Sequence, residues 1–341
     1  MTQVIEKAKL YSDFNAVRFS IAPMMDWTDR HCRFFHRQLT GKALLYTEMV
    51  VADAAIHGNR DRLLGFSDAE QPLALQLGGS DPFKLAAAAR IGAEQGYREI
   101  NLNVGCPSDR VQSGTFGACL MKTPEQVGEC VEAMKQVVDI PVTVKCRIGV
   151  DDQDTEAALN DLAGTVWDAG CDALWVHARK AWLEGLSPKE NRDIPPLDYE
   201  RVYRLKKQNQ NRFIGINGGI QTLDEAREHL HHLDGVMVGR AAYHTPGMLM
   251  DVDKVIYGDE GTGADLPGVI DVMCRYADWH IGQGGRLAHV TRHMVGLFHG
   301  VAGARRWRQI LSIEAPKTGA DSNVIRMAYE AVREGQEAEA A

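Results

Sequence analysis

The chain has 341 residues, 45% hydrophobic and 25% charged, which is ample for a large core and ordinary for a soluble globular protein. A net charge of -8 argues against a protein coated all over in nucleic acid, yet it leaves room for a local basic face, because the field at a site follows the distribution of charge. Seven cysteines with no C-x-x-C pair argue against a disulfide framework or zinc site, and with no apolar signal core or membrane-length run, a reducing cytoplasmic setting without metal or membrane is expected.

Short β-branched-rich runs alternate with segments of helical period. In chain order the runs are Phe19–Asp26, Ala43–Val50, Pro72–Gly79, Glu99–Pro107, Pro141–Gly149, Ala173–Arg179, Phe213–Ile220 and Gly235–Tyr243. Most gaps between them suit a strand followed by a crossover helix. The segment "DPFKLAAAARIGAEQG" offers Asp81 as N-cap, Pro82 in the first turn and Gly96 as stop, and "TPEQVGECVEAMKQVV" repeats the design from Thr123, Pro124 and Glu125. Eight such units predict an α/β fold, a (β/α)8 TIM barrel, over residues 15–250. A doubly wound open sheet would need a Gly-rich dinucleotide fingerprint after an early strand, and the sequence has none. After the link "YGDEGTGADLPG" the period is helical, which predicts a C-terminal all-helical domain over 265–335 that ends in a frayed acidic tail, "EGQEAEAA".

In a barrel of this kind the active site lies at the C-terminal ends of the strands. Polar residues fall there run after run: Gln76, Asn103 and Cys106, Lys145 and Arg147, His177 and Arg179, Asn217 with Gly218 and Gly219, then Gly239 and Arg240. Each alone could be barrel filling. Together they are harder to explain by packing, since unpaired buried Lys and Arg are costly. "NGGI" and "VGRAAY" close the last two runs with small, backbone-exposing turns. In barrels these loops often hold phosphate, through glycine amides and an added cation such as Arg240. Lys145 and His177 suit the rest of a flavin mononucleotide, because a cation near the polar edge of the ring stabilises its reduced anion. Met24 and Met25 offer a soft apolar surface; plain core filling is the other reading.

"APMMDWTDRHCR", "LALQLGG", "EINLNVGCPS", "VTVKCRIG", "VHARKAWLEGLSPKENRDIPPLDY", "INGGI" and "VMVGRAAY" together resemble the tRNA-dihydrouridine synthases, most nearly their A-type bacterial subfamily. The resemblance runs from about Phe19 to beyond Arg308. It implies an FMN-binding barrel and a helical tRNA-binding domain that reduce uridine in the D-loop of tRNA, at positions 20 and 20a, with NADPH as transient reductant. It implies that Pro23, Met24 and Met25 line the flavin, and that Gln76, Lys145 and His177 bond its ring and ribityl chain. Asn217, Gly218, Gly219, Gly239 and Arg240 would hold its phosphate. Cys106 would be the catalytic proton donor and Asn103 would contact the uridine. Lys189, Arg192, Arg305 and Arg308 would contact the tRNA. A monomer is expected.

The chemistry asks for such a set. Reduction of the uracil C5–C6 bond takes a hydride to C6, from flavin N5, and a proton to C5 from the opposite face. A thiol is mostly protonated near neutral pH yet gives up its proton readily. Gly105 and Pro107 are expected to aim it. From Val272 to Arg308 the chain carries six arginines against one acid, Asp278, with four histidines and with Trp279, Phe298 and Trp307 interleaved. That is expected to form a basic face for a folded RNA, whose stacked uridine must flip out to react. A dihydroorotate dehydrogenase-like enzyme acting on small pyrimidines is the chemical rival, and an RNA-binding module on a disused barrel is the rival of another class.

Overall fold

The computed structural model describes residues 11, 13–107, 116–260 and 264–340. Ser108, which completes the "NVGCPS" motif, lies outside them. Two compact units are formed. One comprises Leu44–Ile220 and Asp224–Gly239 with the described residues before Asp26; the other comprises Asp26–Ala43, Gln221–Leu223 and the chain from Arg240 onward.

The first unit is a closed parallel barrel. Its strands are β1 (Phe19–Ile21), β2 (Leu45–Tyr46), β3 (Val50–Val51), β4 (Leu73–Gly78), β5 (Glu99–Val104), β6 (Val142–Arg147), β7 (Ala173–His177), β8 (Phe213–Asn217) and β9 (Gly235–Val238). They pair in parallel in the order β1-β9-β8-β7-β6-β5-β4-β2, with β3 also on β4. The bridge Ser20–Leu44 completes the ring, through Ile21 N–H to Leu44 O at 2.9 Å and Leu44 N–H to Phe19 O at 3.0 Å. The (β/α)8 barrel read from the sequence is therefore the observed fold.

Two details differ from the sequence reading. The second run is broken into β2 and β3, and at the break the Thr47 hydroxyl accepts the Gln76 N–H at 3.0 Å. The last run ends as a strand at Val238, and its remainder is the helix Arg240–His244.

The crossover helices start and stop for local reasons. Asp81 accepts the Phe83 and Lys84 amides, Pro82 takes the first position, and Gly96 ends the helix Pro82–Gln95 at φ 101°. The helix Pro124–Lys135 begins at its proline, but Thr123 makes no side-chain cap bond; its hydroxyl lies 3.5 Å from Leu120 O.

Inside the barrel, Trp175 lies where a side chain at Gly215 would be: a Cβ there would sit 2.2 Å from the indole. At the N-terminal end of the strands Glu99 is fully buried. It accepts from Tyr11 at 2.6 Å and from Tyr46 and Thr143 at 2.5 Å each.

The second unit is helical. The helix Arg30–Leu39 packs there with Leu266–Gly282 and Leu287–Thr291, and Ala304–Glu314 packs on Asn323–Ala340. Asp29 caps the first of these by accepting the His31 and Cys32 amides, and pairs with Arg292 and His293. Burial opposes the Asp29 charge, but His293, the Cys32 amide and Arg292 outweigh it and hold the carboxyl well below the usual range. The acidic end is not frayed through Ala340. It continues the last helix, where Glu330, Arg333 and Glu337 form ion pairs along one face and Glu334 pairs with Arg306.

Burial raises the Glu99 carboxyl, and the bonds from Thr143, Tyr11 and Tyr46 offset this only in part, leaving it at about 7 against an ordinary 4.5. A carboxyl raised in this way binds its proton more tightly when folded. Its contribution to stability is full below about 4.5 and is lost as pH rises through about 7. Glu99→Gln should flatten that profile. Urea unfolding at about pH 5 and about pH 8 should find the parent losing roughly 2–3 kcal/mol relative to the variant.

Candidate active site at the barrel mouth

Strand period and register build the site. Asn103 pairs with Lys145 across β5 and β6, Arg147 with His177 across β6 and β7, and His177 with Asn217 across β7 and β8. These residues therefore lie at the C-terminal ends of adjacent strands.

The Cys106 turn is held at four points. The Asn103 carboxamide oxygen accepts the Gly105 and Cys106 amides, at 3.1 and 2.9 Å. The Cys106 carbonyl accepts the Ala118 amide at 2.9 Å. The Arg147 guanidinium donates to Gly105 O at 3.1 Å. Gly105 is needed for close approach rather than for an unusual backbone: a Cβ there would lie 3.3 Å from the Cys146 carbonyl carbon. Cys106 itself is half-buried, and all seven cysteines are free thiols.

Lys145 donates to the Asn217 carboxamide oxygen at 3.0 Å, and Asn217 donates to Met237 O at 2.7 Å. Burial, then the neighbouring Arg147 guanidinium, brings the Lys145 ammonium down to about 8. The group is mostly charged at neutral pH and loses its proton as pH rises through that value.

Gly218 and Gly219 have φ of 114° and 75°, a region that favours glycine. A Cβ on Gly218 would meet the His177 ring at 2.6 Å, and one on Gly219 would meet Leu197 at 2.6 Å. Among the described residues their amides make no hydrogen bond. The pair thus forms a cradle with amides to spare, which fits a bound phosphate. Gly239 lies beside Met24, whose sulfur would be 3.7 Å from a Cβ there. Pro23 is half-buried and Met25 exposed; Arg240 is exposed and opens the helix after β9.

A family model described as dihydrouridine synthase matches residues 20–333. The chain belongs to the dihydrouridine synthase family. It is 58% identical over 315 residues to a tRNA-dihydrouridine(20/20a) synthase of Shewanella oneidensis, covering 92% of this chain and 94% of the relative. It is 57% identical to the tRNA-dihydrouridine(20/20a) synthase of Escherichia coli K12, covering 92% and 91%, and 54% identical to that of Vibrio vulnificus, covering 92% and 96%.

The remaining expected positions of this dihydrouridine synthase are distributed as follows. Gln76 is buried, and its carboxamide is engaged by Asn101 and Asn103, each at 2.8 Å. Lys189 and Arg192 are exposed on the loop after β7. That loop is pinned by Asn191, which is fully buried, bonds Trp182 N–H and O, and offers its carbonyl to Arg147 at 2.8 Å. In the helical unit Arg305 and Arg308 are exposed on one face of the helix Ala304–Glu314, with no hydrogen bond or ion pair among the described residues. Arg308 also lines a cavity of about 770 Å³ with Arg292, His299 and Tyr243.

The expected aromatic interleaving of the basic stretch is not a surface feature. Trp307 and Phe298 are buried, edge to face at 4.9 Å, and only Trp279 is exposed. His293 is buried against Asp29, Arg292 pairs with Asp29 and Arg306 with Glu334, so these charges are partly spent inside the unit.

Four residues that hold the site had no role assigned from the sequence: Asn101, Thr143, Arg147 and Asn191. The first three carried a signal, being polar at every second position of strands that are otherwise apolar. Gly218→Ala should cost roughly 1–3 kcal/mol of stability, through its backbone and the His177 clash. Gly164, in the helix Thr155–Asp168 with open space around its Cβ direction, is the control. Gly164→Ala should instead gain roughly 0.5–1 kcal/mol. Thermal and urea unfolding of both variants check the contrast.

Proposed function

We propose that this dihydrouridine synthase reduces uridine to 5,6-dihydrouridine in the D-loop of tRNA, at positions 20 and 20a, in the cytoplasm. FMN would be held in the barrel, residues 15–250, NADPH would be the reductant, and residues 265–335 would bind the tRNA. The observation that carries this reading is that the Cys106 turn, the Lys145 cation and the Gly218–Gly219 cradle lie at the C-terminal ends of strands β5, β6 and β8 of one barrel, with Lys145 bonded to Asn217 beside the cradle. The names and extent of the relatives support the substrate and the positions.

The amides of Gly218 and Gly219, unpartnered among the described residues, suit the flavin phosphate, with Asn217 before them in the chain and Gly239 and Arg240 in the turn after β9. Pro23, Met24 and Met25 would line the ring, and Lys145, His177 and Gln76 would bond its polar edge and ribityl chain. Bound there, FMN would supply the hydride for uracil C6. Cys106 would give its proton to C5 and regain one from solvent. Asn103 spends its oxygen on the Cys106 turn and one amide hydrogen on Gln76, which leaves one amide hydrogen for a uracil carbonyl. Lys189, Arg192, Arg305 and Arg308 would contact tRNA phosphates and set its register.

Cys106→Ala should retain its flavin absorbance and oxidise NADPH, but form less than about a hundredth of the dihydrouridine on unmodified tRNA. Full product formation by that variant would sink the acid assignment. Arg305→Glu with Arg308→Glu should raise the KM for tRNA about tenfold and lower the slope of log affinity against log salt by about 1–2, with kcat little changed. Turnover of free uridine at a rate comparable to tRNA would favour a small-molecule enzyme instead.

A further inference from the structure

A chain of side-chain hydrogen bonds runs the length of the barrel interior, from its closed end to the Cys106 turn. Tyr11 and Tyr46 anchor Glu99. Thr143 donates to Glu99 at 2.5 Å and accepts from the Asn101 amide at 2.7 Å. The Asn101 oxygen accepts from Gln76 at 2.8 Å, and the Gln76 oxygen accepts from Asn103 at 2.8 Å. The Asn103 oxygen then receives the Gly105 and Cys106 amides.

The direction of every bond is fixed from the mouth downward. Two backbone amides can only donate, and they require the oxygen of Asn103. Asn103 must therefore turn its NH2 to the Gln76 oxygen, and Gln76 and Asn101 repeat that choice. Thr143, accepting from Asn101, gives its own hydrogen to Glu99. One consistent orientation is left for the three carboxamides. Between Glu99 and Asn103 the ladder spans about 13 Å, four residues at ~3.3 Å each. Every member but Asn103 is at most 1% exposed, Tyr11 aside, so water does not compete for these bonds.

We propose that Glu99, Thr143 and Asn101 are positioning residues for the Cys106 thiol, acting through Gln76 and Asn103. Their importance for turnover rests on the reading of Cys106 as the proton donor; their hold on the turn does not. Removing the Thr143 hydroxyl leaves the buried Asn101 amide without its acceptor and unties the ladder from Glu99, so that Gln76 and Asn103 lose their support from below and hold the turn less firmly.

The test uses the purified flavoprotein with Thr143→Val, which removes the hydroxyl at nearly constant shape, and Thr143→Ser, which keeps it. Two readouts are taken: the rate of iodoacetamide alkylation at the Cys106 peptide by mass spectrometry, and kcat and KM for dihydrouridine formation on tRNA. Thr143→Val should change the alkylation rate at least threefold and lower kcat about tenfold, with KM and flavin content within twofold of the parent. Thr143→Ser should match the parent. Asn101→Leu breaks the ladder one rung higher and should reproduce the valine variant, which covers the case in which valine impairs folding. An unchanged alkylation rate in Thr143→Val and Asn101→Leu overturns the proposal, as does equal loss of flavin and stability in the valine and serine variants. A changed alkylation rate with unaltered kcat supports the positioning role and sinks the acid reading of Cys106 instead.

Discussion

Closure of a parallel barrel forces every second residue of every strand inward, and everything at this site follows from how the chain fills that interior. The space holds Trp175 over Gly215, an aromatic and aliphatic cluster, and a run of polar side chains on β4, β5 and β6. Polar groups placed there without partners would each cost about 1–3 kcal/mol. They are instead bonded to one another, and the bonding ends at the backbone of the Cys106 turn. One solution therefore serves both packing and the site.

Electrostatics at the mouth follow from the same enclosure. Lys145 and Arg147 are two residues apart on β6 and face the same interior; burial lowers both, helped at Lys145 by the Arg147 charge and at Arg147 by Arg192 and Arg179, to about 8 and about 10. Their tasks differ. Arg147 spends its fork on three carbonyls, those of Gly105, Lys180 and Asn191, and ties the Cys106 turn to the loop after β7. Among the described residues the Lys145 ammonium makes one hydrogen bond, to Asn217, and keeps donors for an anionic or carbonyl group.

The helical unit sorts its charges in the same way. Asp29 draws Arg292 and His293 into its own cap, and Glu334 takes Arg306, while Arg305 and Arg308 stay in solvent on a neighbouring face. Helical period separates them, because residues three apart share a face and residues one apart do not.

Much of this was legible in the sequence. Apolar runs at crossover spacing report a parallel α/β fold, eight such units without a dinucleotide fingerprint point to the barrel rather than the doubly wound sheet, and Asp81, Pro82 and Gly96 mark a helix by backbone chemistry that needs no partner. The resemblance of the motifs placed the chain in its family, and the family model agrees. Tertiary structure alone decided the rest. Whether Trp307 was a stacking surface or core depended on which face the helix Ala304–Glu314 buries. Whether Gly105 loosened the backbone or made room depended on β6 passing so close that a Cβ there would lie 3.3 Å from the Cys146 carbonyl carbon. The joint role of Glu99, Thr143 and Asn101 depended on register between strands more than forty residues apart, as the Thr143–Glu99 bond is. A sequence states what each side chain can donate or accept; only the closed barrel determines which partner is within reach.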